Sequence, residues 1–240
     1  MSATRQPYRS DGITLRQAAL VAGFAYLLSP VTTAEFQLYP KLVIPGNAVQ
    51  TFQNIGAHSG TFAIIIACYL VTFLEDIVIA WALFYLLAPV NRALSLLTAW
   101  FRLMYASMVL VGLANLATVY HLATSPSYLA SFGTVPLRAQ VDLLLHTFRY
   151  DWSFSLIVFG VHLVLLGYLI FRSRYIPWII GIIIVIDGLG WIVNCLQPYF
   201  YPTANLGFLF ITFFGELIFM LWLLIAGWRL REPSPAIDAP

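Results

Sequence analysis

Glu75 and Asp76 sit side by side near the middle of a long apolar run, IIIACYLVTFLEDIVIAWALFYLLAP, from Ile64 to Pro89. A carboxylate held in hydrocarbon costs about 2.5–3.5 kcal/mol at mid-span. Two adjacent ones need a cationic partner, a wet cavity or protons. Four more ionisable residues lie in comparable surroundings: Arg102, His162, Asp187 in VIDGLGW and Glu216 in FFGELIFMLW. Such groups inside a membrane do one of three things. They pair with each other, they carry a proton, or they act as general acids on a substrate.

Arg102 is the simplest partner for Glu75 or Asp76. Neighbouring helical residues point about 100° apart, so one acid takes the arginine while the other turns to Thr72, another threonine or a proton. Such a bridge serves architecture as readily as function. Asp187 lies among glycines, where a second helix can approach closely. Glu216 reads as a protonated core acid and His162 as a satisfied core histidine, unless a site recruits them. The candidate catalytic residues are therefore Glu75, Asp76, Asp187 and Glu216. The candidate ligand-binding residues are Arg102, His162, His146, Arg149, Asp151, Trp81, Tyr105 and Trp191.

These residues need a frame. Apolar residues make up 61% of the chain and charged residues 9%, against roughly a quarter charged in a soluble domain. The mean hydropathy is +0.86. The chain reads as an all-α, polytopic transmembrane bundle of six spans. Span one is expected over Leu15–Leu38, kinked at Pro30. Spans two to six follow over Thr61–Leu87, Ala93–Tyr120, Val141–Phe171, Trp178–Leu196 and Leu206–Trp228. The division is a polar tail at 1–14, one membrane domain at 15–228 and a disordered tail at 229–240. Residues 39–60 and the segment from His121 to Gln140 read as loops. The short PVNR link makes spans two and three antiparallel neighbours.

Arginine marks one set of ends: Arg5, Arg9, Arg16, Arg92, Arg172, Arg174, Arg229 and Arg231. The opposite loops hold Lys41 and Arg138, with Arg149 a little inside span four. The positive-inside rule then places both termini in the cytoplasm of a cell whose inner membrane holds the protein. Measured from those ends at 1.5 Å per residue, Glu75 and Asp76 lie roughly 18–20 Å deep, and Arg102, His162, Asp187 and Glu216 roughly 14–18 Å deep. Five of six spans thus place an ionisable group at mid-depth. Groups facing the bundle interior would form one layer.

A second polar layer is expected towards the opposite face, with Glu35, His58, His121, His146, Arg149 and Asp151. Asp142, His146, Arg149 or Tyr150, and Ser153 follow helical spacing and make one wet stripe. Three histidines there raise the question of metal or haem, but no helix carries a tight two-histidine spacing, and no cofactor or metal is expected. Cys68 and Cys195 lie in apolar runs and read as small buried hydrophobes. A net charge of +2 gives no ground for nucleic-acid binding. Serine-nucleophile elbow, HExxH, P-loop and GxGxxG motifs are absent, which removes the usual hydrolase, kinase and dehydrogenase readings.

The stretches FRLMYASMVLVGLANL, FGVHLVLLGYLIFRSRYIPWIIGIIIVIDGLGW and GELIFMLWLLIAGW resemble the bacterial six-span family known as domain of unknown function 4386. The matching elements include Phe101–Arg102–Leu103, Gly160, His162–Leu163, Gly167–Tyr168–Leu169, Gly181, Gly188, Glu216 and Trp222–Leu223–Leu224. The likeness runs from about span two to span six. Glu75–Asp76, His146, Arg149 and Asp151 fall outside the pattern. The resemblance implies the six-span topology and marks Arg102, His162 and Glu216; it implies no reaction.

Three functions remain open. The first is a polar, aromatic-lined intramembrane cavity that binds or moves a small ligand, ion or proton. The second is acid–base chemistry on a lipid or isoprenoid, in the manner of membrane terpene cyclases, with a desolvated acid as proton donor and aromatic faces around the cation. The third is a partner subunit whose charged layer is internal glue. The expected partners are membrane lipid and, under the second reading, a small hydrophobic or isoprenoid substrate.

Overall fold

The computed structural model describes residues 12–231. Arg5, Arg9 and most of both expected tails lie outside them. The described residues contain helices and no strand. Six helices are long and apolar enough to cross a membrane: Leu15–Leu42, Ser59–Leu87, Arg92–Thr124, Thr134–Arg172, Trp178–Phe200 and Gly207–Ile225. They are called spans one to six.

Local sequence explains where the spans begin and break. Thr14 and Gln17 form a reciprocal cap at the start of span one, which satisfies donors that a helix start leaves free. Pro30 lacks an N–H and ends the first helical segment at Leu28. The chain resumes at Val31 and passes through a π-turn, Ala34–Leu38, before ending at Leu42. Span one is therefore kinked as expected and longer than expected. Asn91 caps span three, its side-chain oxygen 3.0 Å from the Leu94 nitrogen.

Two expected loops are largely helical. Ala48–Ala57 is a short helix behind an Asn47 cap, with Thr51, Phe52 and Ile55 buried. Pro126–Phe132 is another, and Gly133, at φ +74°, turns the chain into span four. Span four begins at Thr134, seven residues before the expected Val141, and reaches Arg172. Span six departs from a regular α-helix: Gly207–Phe214 is a 3₁₀ helix, and the α-helix proper starts at Gly215.

Each span packs on the next in sequence, and span six returns to span one. The six spans close into a ring. Spans four and five make the most extensive pair, and glycine is the reason. A side-chain carbon on Gly160 would lie 2.6 Å from the Gly188 carbonyl oxygen, and one on Gly188 would lie 2.6 Å from that of Gly160. Gly167 and Gly181 face each other in the same reciprocal way, at 2.5 and 2.6 Å. The antiparallel backbones touch at two points, two helical turns apart, as small residues permit in membrane helices. Span two is stapled to span three by the Ser95 hydroxyl, which donates to the Phe84 carbonyl at 2.9 Å.

Candidate functional site: a charged layer inside the ring

Arg102 is the centre of the layer and is 3% exposed. Its Nε and Nη2 donate to Asp76 Oδ1 at 2.8 and 2.6 Å. Its Nη1 donates to the Tyr26 hydroxyl at 2.7 Å and lies 3.5 Å from Glu216 Oε1. The guanidinium also sits over the rings of Tyr26 and Phe159, 4.9 and 5.3 Å from their centroids, a cation–π arrangement. Spans one, two, three, four and six all meet at this one cation. Tyr105, on the turn after Arg102, is buried and packs on Phe159 at 4.7 Å.

His162 is buried completely. Its Nδ1 is 2.8 Å from the Thr98 carbonyl oxygen, which only accepts. Its Nε2 is 3.3 Å from Arg102 Nη1, which only donates. These partners fix one arrangement: a hydrogen on Nδ1, a lone pair on Nε2 and no net charge. The ring is satisfied on both sides and braces the arginine.

Asp187 comes from span five and is 0% exposed. Its Oδ2 accepts the backbone N–H of Glu216 at 3.1 Å. It thereby caps the α-helix that opens at Gly215, in the middle of span six, where the preceding 3₁₀ turns leave backbone donors free. Gly215 is required there, since a side-chain carbon would lie 2.6 Å from the same carboxylate oxygen. Asp187 Oδ1 and Glu216 Oε1 are buried and make no hydrogen bond, and Glu216 Oε1 is left with the longer 3.5 Å contact to Arg102. Glu75 makes no ion pair with Arg102 within 4.0 Å and, half-buried, meets Ser29 at the break in span one. The Ser29 hydroxyl in turn lies 3.4 Å from that of Thr72. Asp76, Arg102, His162 and Asp187 all lie about 14–17 Å from the same ends of their helices at 1.5 Å per residue.

The layer expected from sequence is thus assembled from Asp76, Arg102, His162, Asp187 and Glu216, with Tyr105 beside it and Glu75 at its edge. Asp76, not Glu75, takes the arginine. Trp191 borders the layer as well, its side chain meeting the Asp187 carboxyl and its ring stacking on Phe213 at 4.0 Å. The remaining expected binding residues lie elsewhere. Trp81 is 46% exposed on the outer surface of the ring. His146 is 58% exposed and pairs loosely with Asp142, one turn back. Arg149 joins a second cluster: its Nη1 donates to both oxygens of Glu35 at 2.8 and 2.9 Å, and it stacks over Tyr39 at 4.1 Å. The Tyr69 hydroxyl donates to the same glutamate. Asp151 accepts from Asn115 at 3.0 Å, on another face of span four. His58, His121 and His146 do not converge; among the described residues no three His, Cys, Asp or Glu side chains could hold a metal.

Sequence reasoning missed Tyr26, Thr98 and Phe159 in the layer, and Tyr39 and Tyr69 in the second cluster. A hydroxyl or ring in an apolar span carries no periodic mark. The Thr98 partner is a backbone carbonyl, which no sequence distinguishes.

The fold and the layer define a six-span helical membrane protein with ionisable groups in its interior. The family model named Domain of unknown function (DUF4386) matches residues 21–227, and the chain belongs to that family. The match takes in most of span one, beyond the stretch that the motifs alone had marked. An uncharacterized protein of Archaeoglobus fulgidus is 32% identical over 168 residues, which covers 70% of this chain and 86% of the relative. No solved structure matches.

Proposed function

We propose that the mid-membrane layer is a proton-binding site, and that the protein takes up and releases protons, or a small cation, within the cytoplasmic membrane with both termini inside. One observation carries this reading. Asp187 and Glu216 each hold a buried carboxyl oxygen without a hydrogen bond of its own; Glu216 Oε1 has only the Arg102 guanidinium at 3.5 Å, and that cation is already bonded to Asp76. Glu75, Asp76, Asp187 and Glu216 outnumber the single guanidinium by three, and His162 is held neutral. Uncompensated charge is not tolerated in a dry interior, so protons or a small cation complete the balance. Asp76 is committed to Arg102, which leaves Asp187, Glu216 and Glu75 as the exchanging groups.

The packing favours a small occupant. Arg102, His162 and Asp187 are in close contact with their neighbours and almost wholly buried. The cyclase-like alternative calls for an aromatic chamber around the acids. Trp81, on the outer surface, weakens it. Spans one and six give the layer a route to change. They are adjacent, each is interrupted at mid-depth, and they are the least buried of the six. Movement at Pro30 and Gly215 would open Glu75 and Glu216 to one side, as interrupted helices do around ion sites.

The test is infrared difference spectroscopy of the protein in liposomes across a pH step. A protonated-carboxyl band should respond to pH in the wild type and shrink in Glu216→Gln and Asp187→Asn, with thermal unfolding unchanged by more than a few degrees. A wild-type spectrum without a titrating carboxyl band sinks the reading.

A further inference from the structure

A groove of about 440 Å³ opens on the outer surface of the ring, between spans three, four and five, away from the charged layer. Asp151 forms its floor, and Tyr150, Phe154, Tyr199 and Val111 form its walls. Gly112 makes room for the acid: a side-chain carbon there would lie 3.1 Å from Asp151 Cβ and 3.4 Å from its Oδ2. Asn115 donates to Oδ2 at 3.0 Å and holds the carboxylate in place. Asp151 has no cationic partner among the described residues, whereas Asp76 and Glu35 each have an arginine.

The depth of the groove identifies what reaches it. Gly112 lies 20 residues from the start of span three at Arg92, about 30 Å. Asp151 lies 21 residues from the end of span four at Arg172, about 32 Å. Tyr199 lies 21 residues from the start of span five at Trp178, again about 32 Å. Three spans measured from the same face agree. The hydrocarbon core of a bilayer is about 30 Å thick, so the groove sits where headgroups of the opposite leaflet begin. A fixed carboxylate there, ringed by aromatic faces and open to lipid, is complementary to an ammonium group.

We propose that this groove binds the headgroup of an amine-bearing phospholipid, its ammonium on Asp151 and its acyl chain along Val111 and Phe154. The primary ammonium of ethanolamine supplies donors for the free carboxylate oxygen and for the Tyr150 hydroxyl. The proposal does not depend on the proton-binding reading, because no residue of the charged layer lines the groove.

Native mass spectrometry tests it. Purified protein in mild detergent is titrated with dioleoyl phosphatidylethanolamine or dioleoyl phosphatidylglycerol, and bound lipids are counted. The wild type should take up one phosphatidylethanolamine about tenfold more tightly than phosphatidylglycerol, the value of one charge-assisted hydrogen bond. Asp151→Asn should lose that preference, Asp151→Lys should invert it, and Glu216→Gln should keep it. Equal binding of both lipids by the wild type, or a preference that survives in Asp151→Asn and Asp151→Lys, overturns the proposal. Circular dichroism of each variant confirms that it is folded before its lipid count is read.

Discussion

Arg102 and Arg149 are built from the same parts. Each guanidinium meets a carboxylate, a tyrosine hydroxyl lies at the pair, and an aromatic face covers it. Their depths differ. Arg102 is 3% exposed and lies at mid-membrane, whereas the Arg149 side chain is 37% exposed and lies near the boundary. The second pair is open to its surroundings at the membrane boundary, where screening weakens an ion pair. The first is left with protein dipoles alone, and removing either partner strands a charge. One chemical unit is therefore an architectural commitment at one depth and an ordinary ion pair at the other. The layer also holds carboxyls beyond what its cation can balance, and that surplus, not the bridge, is where function is to be sought.

The largest expected effect follows from breaking the deep pair. Arg102→Ala leaves Asp76 buried without a cation and removes donors from Tyr26 and His162. The expected loss is about 3–5 kcal/mol, seen as little folded protein after extraction. Arg102→Ala with Asp76→Asn removes both charges and should recover much of that yield. An Arg102→Ala variant as stable as the wild type, by unfolding in mixed detergent, would refute the claim that the bridge holds the ring together.

An intermediate effect is expected where the layer is moved without touching its charges. Gly188→Leu forces a branched side chain against the Gly160 carbonyl, and overpacking of this kind costs about 1–3 kcal/mol. Asp187 is the next residue, so the cap on span six should shift with it. The Arg149 cluster is built on spans one, two and four and should be unaffected. Cysteine cross-linking of spans four and five in the variant reads the displacement; unchanged cross-linking with unchanged stability would separate the glycine contacts from the placement of the layer.

Much of the bundle was legible because membranes impose one strong rule: backbone groups must be paired within a helix. Long apolar runs therefore gave six spans, and arithmetic on the rise placed their charges at a common depth. The PVNR link predicted the contact between Arg102 and its acid, but adjacency left Glu75 and Asp76 interchangeable. Only the rotation of span two, with Phe73 and Asp76 inward, decides between them. The 3₁₀ turns of span six have no mark in the sequence, because GFLFITFF is apolar apart from Thr212 and carries no period. Ala48–Ala57 reads as loop because Gln50, Gln53 and Asn54 mask Phe52 and Ile55, although the Asn47 cap is visible. Glu35 and Arg149 are 114 residues apart, and a π-turn sets the direction of the glutamate. No spacing rule reaches across such a distance, so only the fold pairs them.

The smallest effect is expected at the boundary. Arg149→Gln removes the bond to Glu35 and the stacking on Tyr39, yet the freed carboxylate keeps the Tyr69 hydroxyl and has access to water. Exposed pairs contribute about 0.2–1 kcal/mol. The loss should therefore stay well below that of Arg102→Ala in the same unfolding assay. It should shrink further as salt is raised, since screening already weakens the native pair. Neutralising Glu35 as well should bring little recovery, in contrast to the rescue at mid-depth. If Arg149→Gln proved as damaging as Arg102→Ala, and Glu35→Gln rescued it, the two clusters would share one role. Depth would then not be what separates them, and Glu35 would join Glu216 among the acids whose protonation deserves measurement.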